Sequence, residues 1–296
     1  MITETLPTHT PALFDTAVQR AVELLRAGEV VALPTETVYG LAANALNPDA
    51  VAKIYSVKGR PAHNPIICHI ASQELARCCV TAWPDEAEKL ARSFWPGPLT
   101  LVLPRAKIIP DIVAAGGSTV GIRWPSHPFM RAVIAACDFP LAAPSANLSN
   151  QLSPTNAGHV HNQLAGKIPL IVDGGQAQVG IESTVVDVSA SPARLLRPGM
   201  IHEESLLSVL DQLVIGAEAC ELRSPGLLQK HYSPRARLHV LGWRSDADLR
   251  AQLAGARIAP EHCCVIAHSV VPGAPGFKGV WVVPQAGVAF ARGLLA

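Results

Sequence analysis

The sequence is poor in charged and in aromatic side chains. Of its 296 residues, 16% are charged and 5% aromatic, whereas 49% are hydrophobic. A chain of this composition can bury a large apolar core, which excludes an intrinsically disordered protein. The formal net charge is only +1, so no overall basic field indicates nucleic-acid binding, although a local basic patch stays open.

Long apolar runs, an export signal and metal-binding cysteine spacings are also lacking. No run approaches the roughly 20 apolar residues that span a bilayer. Residues 1–15 lack the basic start and apolar core of a signal peptide. The seven cysteines form no CxxC pattern, and two adjacent pairs stand at 78–79 and 263–264. The odd cysteine count, the lack of zinc spacing and the lack of an export signal predict reduced, mostly buried thiols in a cytoplasmic protein. The lack of long apolar runs predicts no membrane segment.

Residues 29–70 carry the clearest chemical pattern of the chain. The short apolar run 30–33, stopped by a proline, predicts a strand that is buried on both faces. Thr35, Glu36 and Thr37 follow directly, at the exit of a strand where open α/β sheets bind ligands. The stretch therefore begins with a polar loop in a position typical of binding sites.

A predicted helix follows, from Pro48 to the segment that contains Lys58, Gly59 and Arg60. Glycine caps this helix and the next proline prevents its continuation. Two cations at one helix end, ahead of a predicted strand over 65–70, are a candidate anion site. The helix macrodipole also favours basic residues at this end, so a merely stabilised helix terminus explains the pair equally well.

Apolar periodicity predicts that strands and helices continue to alternate as far as residue 215. Further predicted helices lie at 14–27, at 72–94 with an interruption at Pro84, and at 126–137, 155–166 and 203–214. Further predicted strands lie at 99–103, 120–125, 141–143, 169–172 and 185–188. Such alternation predicts an α/β domain over 1–215 with a twisted and mixed sheet.

The remaining sequence differs from the first domain. Residues 216–236 contain turn residues with little periodicity, which predicts a linker. Residues 237–296 form a smaller predicted α/β unit that ends within a helix and is expected to be incomplete. Its predicted elements are a strand at 238–241, a helix at 246–254, strands near 263–267 and 280–283, and a helix from about 285.

Several cations and small polar side chains stand next to predicted strand or helix ends. They are Lys58, Arg60, Arg123 and Arg197, with Thr35, Thr119, Ser145, Asn147, Ser153 and Ser183. Serine and asparagine in a turn equally often bond only their own backbone. Together the group is suited to a polyanion, because charge-assisted bonds each contribute roughly 1.5 to 3 kcal/mol.

Sequence motifs that would supply a protein nucleophile or a nucleotide loop are not found. The chain has no Walker loop, GxSxG elbow, HExxH or GxGxxG pattern. The cations therefore predict a reaction in which the substrate brings the nucleophile, such as a carboxylate or carbamate that attacks a nucleotide phosphate. The protein would contribute positioning and charge stabilisation.

Six segments resemble, in order and spacing, those of the YrdC-like family. They are PTETVYGL (34–41), KGRPAHNPI (58–66), TVGIRWPSHP (119–128), APSANLSNQLSPT (143–155), ESTVVD (182–187) and LLRPG (195–199). SPGLLQKHYSP (224–234) is similar to the linker of the two-domain members, the L-threonylcarbamoyladenylate synthases. The resemblance implies a YrdC-like (DHBP-synthase-like) domain, a linker or lid, and a smaller Rossmann-like α/β domain.

This resemblance also implies an activity. A nucleotidyltransferase of this type converts ATP, L-threonine and bicarbonate or CO2 into threonylcarbamoyl-AMP and pyrophosphate. Mg²⁺ is expected with the ATP phosphates rather than at a protein metal site. Another complex would transfer the threonylcarbamoyl group to the adenosine beside the anticodon of tRNA, which implies a transient RNA or tRNA-modification partner.

Residue roles follow from the same resemblance. Catalysis is expected of Lys58 and Arg60. ATP is expected at Lys58, Arg60, Thr119, Ser145, Asn147, Ser153, Arg197 and Tyr232. L-Threonine is expected at Thr35, His69, Arg123, Ala143 through its backbone, and Ser183. For His69 a satisfied core histidine, and for Ser183 a hydroxyl at a strand start, remain alternatives.

Two other functions remain open from the sequence. One is a non-catalytic RNA-binding or ribosome-maturation module, since related domains present a concave basic surface to RNA. The other is a carbamoyltransferase-type enzyme, in which zinc-finger and kinase-like regions are expected that this sequence does not contain.

Overall fold

Apolar runs bounded by proline and glycine form the strands of one large sheet between residues 4 and 215. The structure, a computed structural model, describes residues 2–215 and 236–284. The strands are β1 (Glu4–Pro7), β2 (Val31–Leu33), β3 (Gly40–Asn44), β4 (Cys68–His69), β5 (Leu99–Pro104), β6 (Thr119–Arg123), β7 (Leu141–Ala142), β8 (Leu170–Asp173), β9 (Thr184–Asp187), β10 (Ala193–Arg197) and β11 (Leu213–Ile215).

The large sheet mixes parallel and antiparallel pairs. Its strand order is β1-β8-β2-β3-β7-β4-β6-β5-β9-β10-β11. The pairs β1–β8, β2–β8, β4–β6, β5–β9 and β10–β11 are parallel. The pairs β2–β3, β3–β7, β4–β7, β5–β6 and β9–β10 are antiparallel. The predicted mixed α/β sheet is therefore confirmed.

Helices cover both faces of this sheet. They are α1 (Pro11–Arg26), α2 (Pro48–Lys58), α3 (Gln73–Cys78), α4 (Asp85–Phe94), α5 (Pro128–Cys137), α6 (Ala157–Leu164) and α7 (Glu203–Leu207). Helix α2 ends as predicted, because Gly59 adopts φ +60°, a left-handed conformation that glycine reaches without a Cβ clash. The end of α2 thus fixes the position of the basic pair.

The core lies in two layers, one on each face of the sheet. Strand β2 shows the division, since Val31 and Leu33 pack with α1 and α5, whereas Val30 and Ala32 pack in the larger opposite cluster. Alternate residues of a strand point to opposite faces. A strand buried on both faces therefore needs the continuous apolar run that the sequence has here.

Some predicted elements are wrong in extent or kind. Of the predicted helix 203–214, only Glu203–Leu207 is helical, as α7. The last two residues of the predicted range belong to strand β11, which pairs with β10. Short apolar runs fit a helix or a strand equally well, and here pairing with β10 decides. The predicted strand 65–70 is reduced to β4. Strands β1, β3 and β10 were not predicted from the sequence.

The second described unit contains α8 (Asp246–Gly255), a short 3₁₀ turn (Pro260–His262), β12 (Cys264–Ala267) and β13 (Gly279–Val282). The two strands pair in parallel and pack with α8. Residues 238–241 form no strand, so that prediction is wrong; Leu238 and Val240 are 81% and 89% exposed, without the burial that would favour one.

Several predictions concern residues that the structure does not describe. The linker at 216–235, Tyr232 within it and the helix from about 285 lie outside the described residues. The domain boundaries 1–215, 216–236 and 237–296 stay predictions. Among the helices of the described ranges, none combines the length and apolar character needed to cross a bilayer.

Candidate active site

A narrow cleft lies where several strand ends of the large sheet meet. The loop after β2, the ends of β4, β6 and β10, the exit of β7 and the entrance of β9 all line it. The predicted residues that line the cleft are Thr35, Arg60, His69, Arg123, Ala143, Ser145, Ser183 and Arg197. The structure thus brings together residues that are far apart in sequence.

Four predicted residues do not line the cleft. Lys58 and Ser153 are buried beside it and bond the lining residues Ser145 and Glu182, and Asn147 is buried in the turn that follows Ser145. Thr119 begins β6 while Arg123 ends it, so their Cα atoms lie roughly 13 Å apart along the strand. The structure therefore places Thr119 at the far end of the strand that carries Arg123.

Lys58 ties the end of α2 to the turn after β7. Its Nζ donates to the carbonyl oxygens of Ser145, at 2.5 Å, and Asn147. Burial and then the nearby Arg60 charge lower the pKa of Lys58 to about 7. An ammonium has three N–H bonds, so one remains for a ligand after these two acceptors.

Arg60 is held at the cleft by the loop that follows α2. Its Nε donates to the carbonyl of Asn64 at 3.0 Å, and one terminal nitrogen donates to Asn64 Oδ1 and the Pro65 carbonyl at 2.7 and 2.6 Å. Burial lowers the pKa of Arg60, but an arginine stays charged at neutral pH. The guanidinium is thus a fixed positive charge beside the cleft.

The turn after β7 is braced from within. Asn147 Nδ2 donates to the carbonyls of Leu148 and Gln151 at 2.8 and 2.9 Å. Its Oδ1 is buried and has no hydrogen-bond partner within the described ranges. Ser145 pairs with Gly40 in an isolated antiparallel bridge, which brings the turn next to the start of β3. Asn147 therefore shapes the cleft wall rather than lining it.

Arg197 and Ser183 form the opposite wall. Arg197 Nε donates to the Ser183 carbonyl and a terminal nitrogen donates to Ser183 Oγ, both at 3.0 Å. The Glu182 carboxylate lies 3.8 Å from Arg197 and accepts a hydrogen bond of 2.8 Å from Ser153. Gly199 lets the loop after β10 pass close to the start of β9, because a Cβ at residue 199 would lie 2.5 Å from the backbone nitrogen of Thr184.

At the other end of the cleft, Arg123 pairs with Glu36. One terminal nitrogen of Arg123 lies 2.7 Å from Glu36 Oε1, and the two side chains are 5% and 3% exposed. Burial would raise the pKa of Glu36, but the charge and hydrogen bond of Arg123 outweigh it, so this pKa lies below its usual value. The pair is ionised and almost fully removed from water.

His69 lies beside this ion pair. Burial, followed by the Arg123 charge, lowers the pKa of His69 to about 3, so the imidazole is neutral at physiological pH. Its Nδ1 is buried and has no hydrogen-bond partner among the residues described. An imidazole with an unsatisfied nitrogen at a cleft favours the ligand role over the satisfied core histidine.

Hydroxyl groups line the floor between the two ends. Thr35 Oγ1 donates to the Val38 carbonyl at 2.6 Å and lies 3.0 Å from Thr37 Oγ1. Ser183 Oγ lies 2.8 Å from Thr100 Oγ1, and both side chains are buried. These hydroxyls give the cleft fixed donors and acceptors for a small polar ligand.

Glu36 and Thr37 were predicted only as part of a polar loop typical of binding sites, with no ligand assigned to either, and Glu182 was not singled out. Thr37 and Glu182 line the cleft, and Glu36 lies behind Arg123. Each stands within a segment that was already singled out, PTETVYGL or ESTVVD. Their pairing with distant arginines, however, depends on the tertiary structure.

Comparisons with known proteins agree on one family. The model of the Sua5/YciO/YrdC family, described as "Telomere recombination", matches residues 23–199. The chain is 45% identical over 226 residues to the threonylcarbamoyl-AMP synthase of Pyrococcus abyssi, covering 75% of this chain and 66% of that protein. It is 44% identical over 244 residues to the enzyme of that name from Bacillus subtilis, covering 81% and 69%.

A solved structure is similar in fold to this protein. The crystal structure of P. abyssi Sua5 complexed with L-threonine has a TM-score of 0.88 and 37% identity, and the match covers 100% of this chain and 87% of that one. By sequence, the matched part of this chain spans about two thirds of the length of the two curated relatives.

Proposed function

This chain belongs to the Sua5/YciO/YrdC family, and we propose that it is an enzyme, a threonylcarbamoyl-AMP synthase. It condenses L-threonine, bicarbonate or CO2, and ATP to threonylcarbamoyl-AMP and pyrophosphate. The observation that carries this proposal is the convergence of Arg60, Arg123 and Arg197 on one cleft. Three fixed guanidinium groups can bind a triphosphate and a separate carboxylate at the same time.

L-Threonine binds at the end of the cleft where Arg123 lies. The guanidinium of Arg123 pairs with the threonine carboxylate, and the neutral His69 offers a hydrogen-bonding nitrogen. The Thr35 and Ser183 hydroxyls, between the two ends, and the backbone of Ala143 also line the cleft that threonine enters. The P. abyssi Sua5 structure, which is complexed with L-threonine, supports threonine as a ligand.

ATP binds at the end that contains Arg60 and Arg197. Ser145 lines this end, and Lys58 directs a buried ammonium at the turn beside it. Asn147 and Ser153 support the same walls from behind, whereas roles for Thr119 and Tyr232 stay predictions. Positive charge from several directions is what a triphosphate requires.

Mg²⁺ enters as part of this substrate. The described residues contain no group of three or more histidine, cysteine or acidic side chains that could hold a metal ion. Glu182 is a carboxylate in the cleft lining, and one carboxylate with substrate phosphates is a donor set that fits Mg²⁺. Bound Mg²⁺ would offset negative charge on the triphosphate.

The chemistry needs no protein nucleophile. The threonine amine adds to CO2 and loses a proton, which gives a carbamate. A carbamate oxygen then attacks the α-phosphorus of ATP, and the bond to the leaving pyrophosphate breaks. The side chains hold both substrates in line, offset the charge and exclude water, which protects the short-lived carbamate.

The product is a mixed anhydride that another enzyme consumes. Its threonylcarbamoyl group passes to the adenosine beside the anticodon of tRNA, so contact with RNA or with a tRNA-modifying complex is transient. Action in the cytoplasm, as the sequence predicts, is part of the same proposal.

Mass spectrometry of the product tests the proposal. The full chain is incubated with ATP, Mg²⁺, L-threonine and ¹³C-bicarbonate, and threonylcarbamoyl-AMP carrying one ¹³C is expected. Reactions without threonine, or with Arg123→Ala, are the controls and give no product. Absence of the labelled product with the unchanged chain, together with salt-sensitive RNA binding, would favour the RNA-binding alternative instead.

A further inference from the structure

The two ends of the cleft differ in their charge balance. At one end, Glu36 neutralises Arg123 through a contact of 2.7 Å. At the other end, three cations, Lys58, Arg60 and Arg197, lie near the Glu182 carboxylate. Within the described residues, the first end thus pairs one cation with one carboxylate, whereas the second groups three cations around one.

Glu36 does not line the cleft but lies behind Arg123, with only 3% of its side chain exposed. The pairing is with one terminal nitrogen of Arg123. Arg123 Nε is buried and lacks a hydrogen-bond partner in the described part of the chain. The ion pair therefore fixes the guanidinium while it leaves a donor for a ligand.

We propose that Glu36 is the positioning residue that reserves the Arg123 end of the cleft for an amino acid and excludes phosphate groups from it. This inference rests on the proposed function. A zwitterionic amino acid brings no net charge to the end that Glu36 neutralises. A polyphosphate brings several negative charges, and the buried Glu36 carboxylate repels them at short range with little screening.

The arrangement also solves a problem of competition. All three arginines are able to bind phosphate, and a triphosphate that reached Arg123 would block threonine. A buried like charge behind that one arginine is a repulsive element against the wrong ligand, which is a common route to specificity. Glu36 thereby directs ATP to the end that contains Arg60 and Arg197.

Direct binding measurements on the full chain test this inference. Titration calorimetry with L-threonine, alone and with saturating pyrophosphate, compares the unchanged protein with Glu36→Gln. Glutamine keeps the size and an oxygen acceptor but removes the charge. In Glu36→Gln the threonine Kd is expected to rise about tenfold or more, which corresponds to about 1.4 kcal/mol, and pyrophosphate is expected to compete with threonine.

Two further variants separate charge, geometry and stability. Glu36→Asp keeps the charge but shortens its reach, so threonine affinity is expected to fall without competition from pyrophosphate. Glu74→Gln, which removes an exposed carboxylate of α3, controls for net charge and leaves both ligands unaffected. If Glu36→Gln does not fold, as thermal melting would show, Glu36→Asp decides alone.

The outcomes distinguish this inference from the proposed function. If the unchanged chain binds threonine and Glu36→Gln does so equally well without pyrophosphate competition, the role of Glu36 is refuted while the enzyme assignment stands. Threonine affinity that is the same in Glu36→Asp as in the unchanged chain also overturns it. If the unchanged chain binds no threonine and makes no product, the proposed function itself fails.

Discussion

The Lys58 ammonium donates a hydrogen bond of 2.5 Å to the carbonyl oxygen of Ser145, which lies on the turn after β7. The same nitrogen bonds the carbonyl of Asn147. One side chain thus joins the end of α2 to a wall of the cleft that is 87 residues away in sequence. Lys58 has a structural role in addition to its charge.

Lys58→Met is expected to weaken both ATP binding and the fold. Methionine fills a similar volume but leaves two buried carbonyls without their donor, which costs about 1 to 3 kcal/mol. Urea unfolding and the KM for ATP measure the two effects. Lys53→Met is the matched control on the same helix, since the Lys53 side chain is 43% exposed and pairs with Glu29. Equal stability of the two variants would show that the buried contacts of Lys58 contribute nothing.

The lowered pKa of Lys58 predicts a pH dependence of ATP binding. In the free protein this pKa is about 7, and a nearby triphosphate raises it because an anion favours the charged amine. Binding above pH 7 therefore takes up a proton, and affinity for ATP falls as the pH rises. Below pH 7 the amine is charged before and after binding, so this group takes up no proton.

Calorimetry at pH 6 and pH 8, in buffers with different ionisation enthalpies, measures this proton uptake. The difference between the two pH values is expected to vanish in Lys58→Met. Uptake that persists unchanged in that variant would assign the titration to another group.

Local signals allowed the sequence to predict much of the fold. The end of α2 was predictable because a glycine that can adopt a left-handed conformation is followed two residues later by a proline. Both Gly59 and Pro61 stand in the sequence. The buried run that became β2 was equally clear, because a strand covered on both faces is continuously apolar. Strand β3, with the sequence GLAAN, has low strand propensity and forms because β2 and β7 flank it.

The site was predictable in its members but not in its pairings. Arg123 at a strand exit indicated an anionic partner, yet Glu36, 87 residues earlier, became that partner only through the fold. Likewise, Ser153 donates a hydrogen bond to Glu182, which is 29 residues later in the sequence. Which cation faces the cleft and which braces it, as Lys58 does, depends on such long-range contacts.

Arg123→Lys is expected to impair threonine use selectively. Lysine keeps one positive charge but cannot hold Glu36 and a carboxylate with one planar fork. Loss of a buried, hydrogen-bonded charge contact costs about 2 kcal/mol or more, so the KM for threonine rises about 30-fold or more. The KM for ATP changes little, because Arg60 and Arg197 are unaltered. Steady-state kinetics with each substrate varied measures both constants, and equal rises in the two would contradict separate binding ends.

Gly199→Ala is expected to reduce activity by displacing Arg197. A Cβ at residue 199 would lie 2.5 Å from Thr184 N and 2.8 Å from the Glu182 carbonyl oxygen, closer than real contacts allow. Both obstacles are backbone atoms, so the loop after β10 must move away from β9. Arg197, two residues earlier, would then lose its bonds to Ser183.

Gly255→Ala is the matched control for this change, because a Cβ there meets nothing within 4 Å. It lies at the end of α8, where alanine is the better helix former, so stability is unchanged or slightly higher. Thermal melting and the KM for ATP are measured for both variants. A rise in the KM for ATP in Gly199→Ala alone would tie the close approach of β10 and β9 to phosphate binding. Normal kinetics in that variant would mean that Arg197 keeps its place, or is not needed, when this loop shifts.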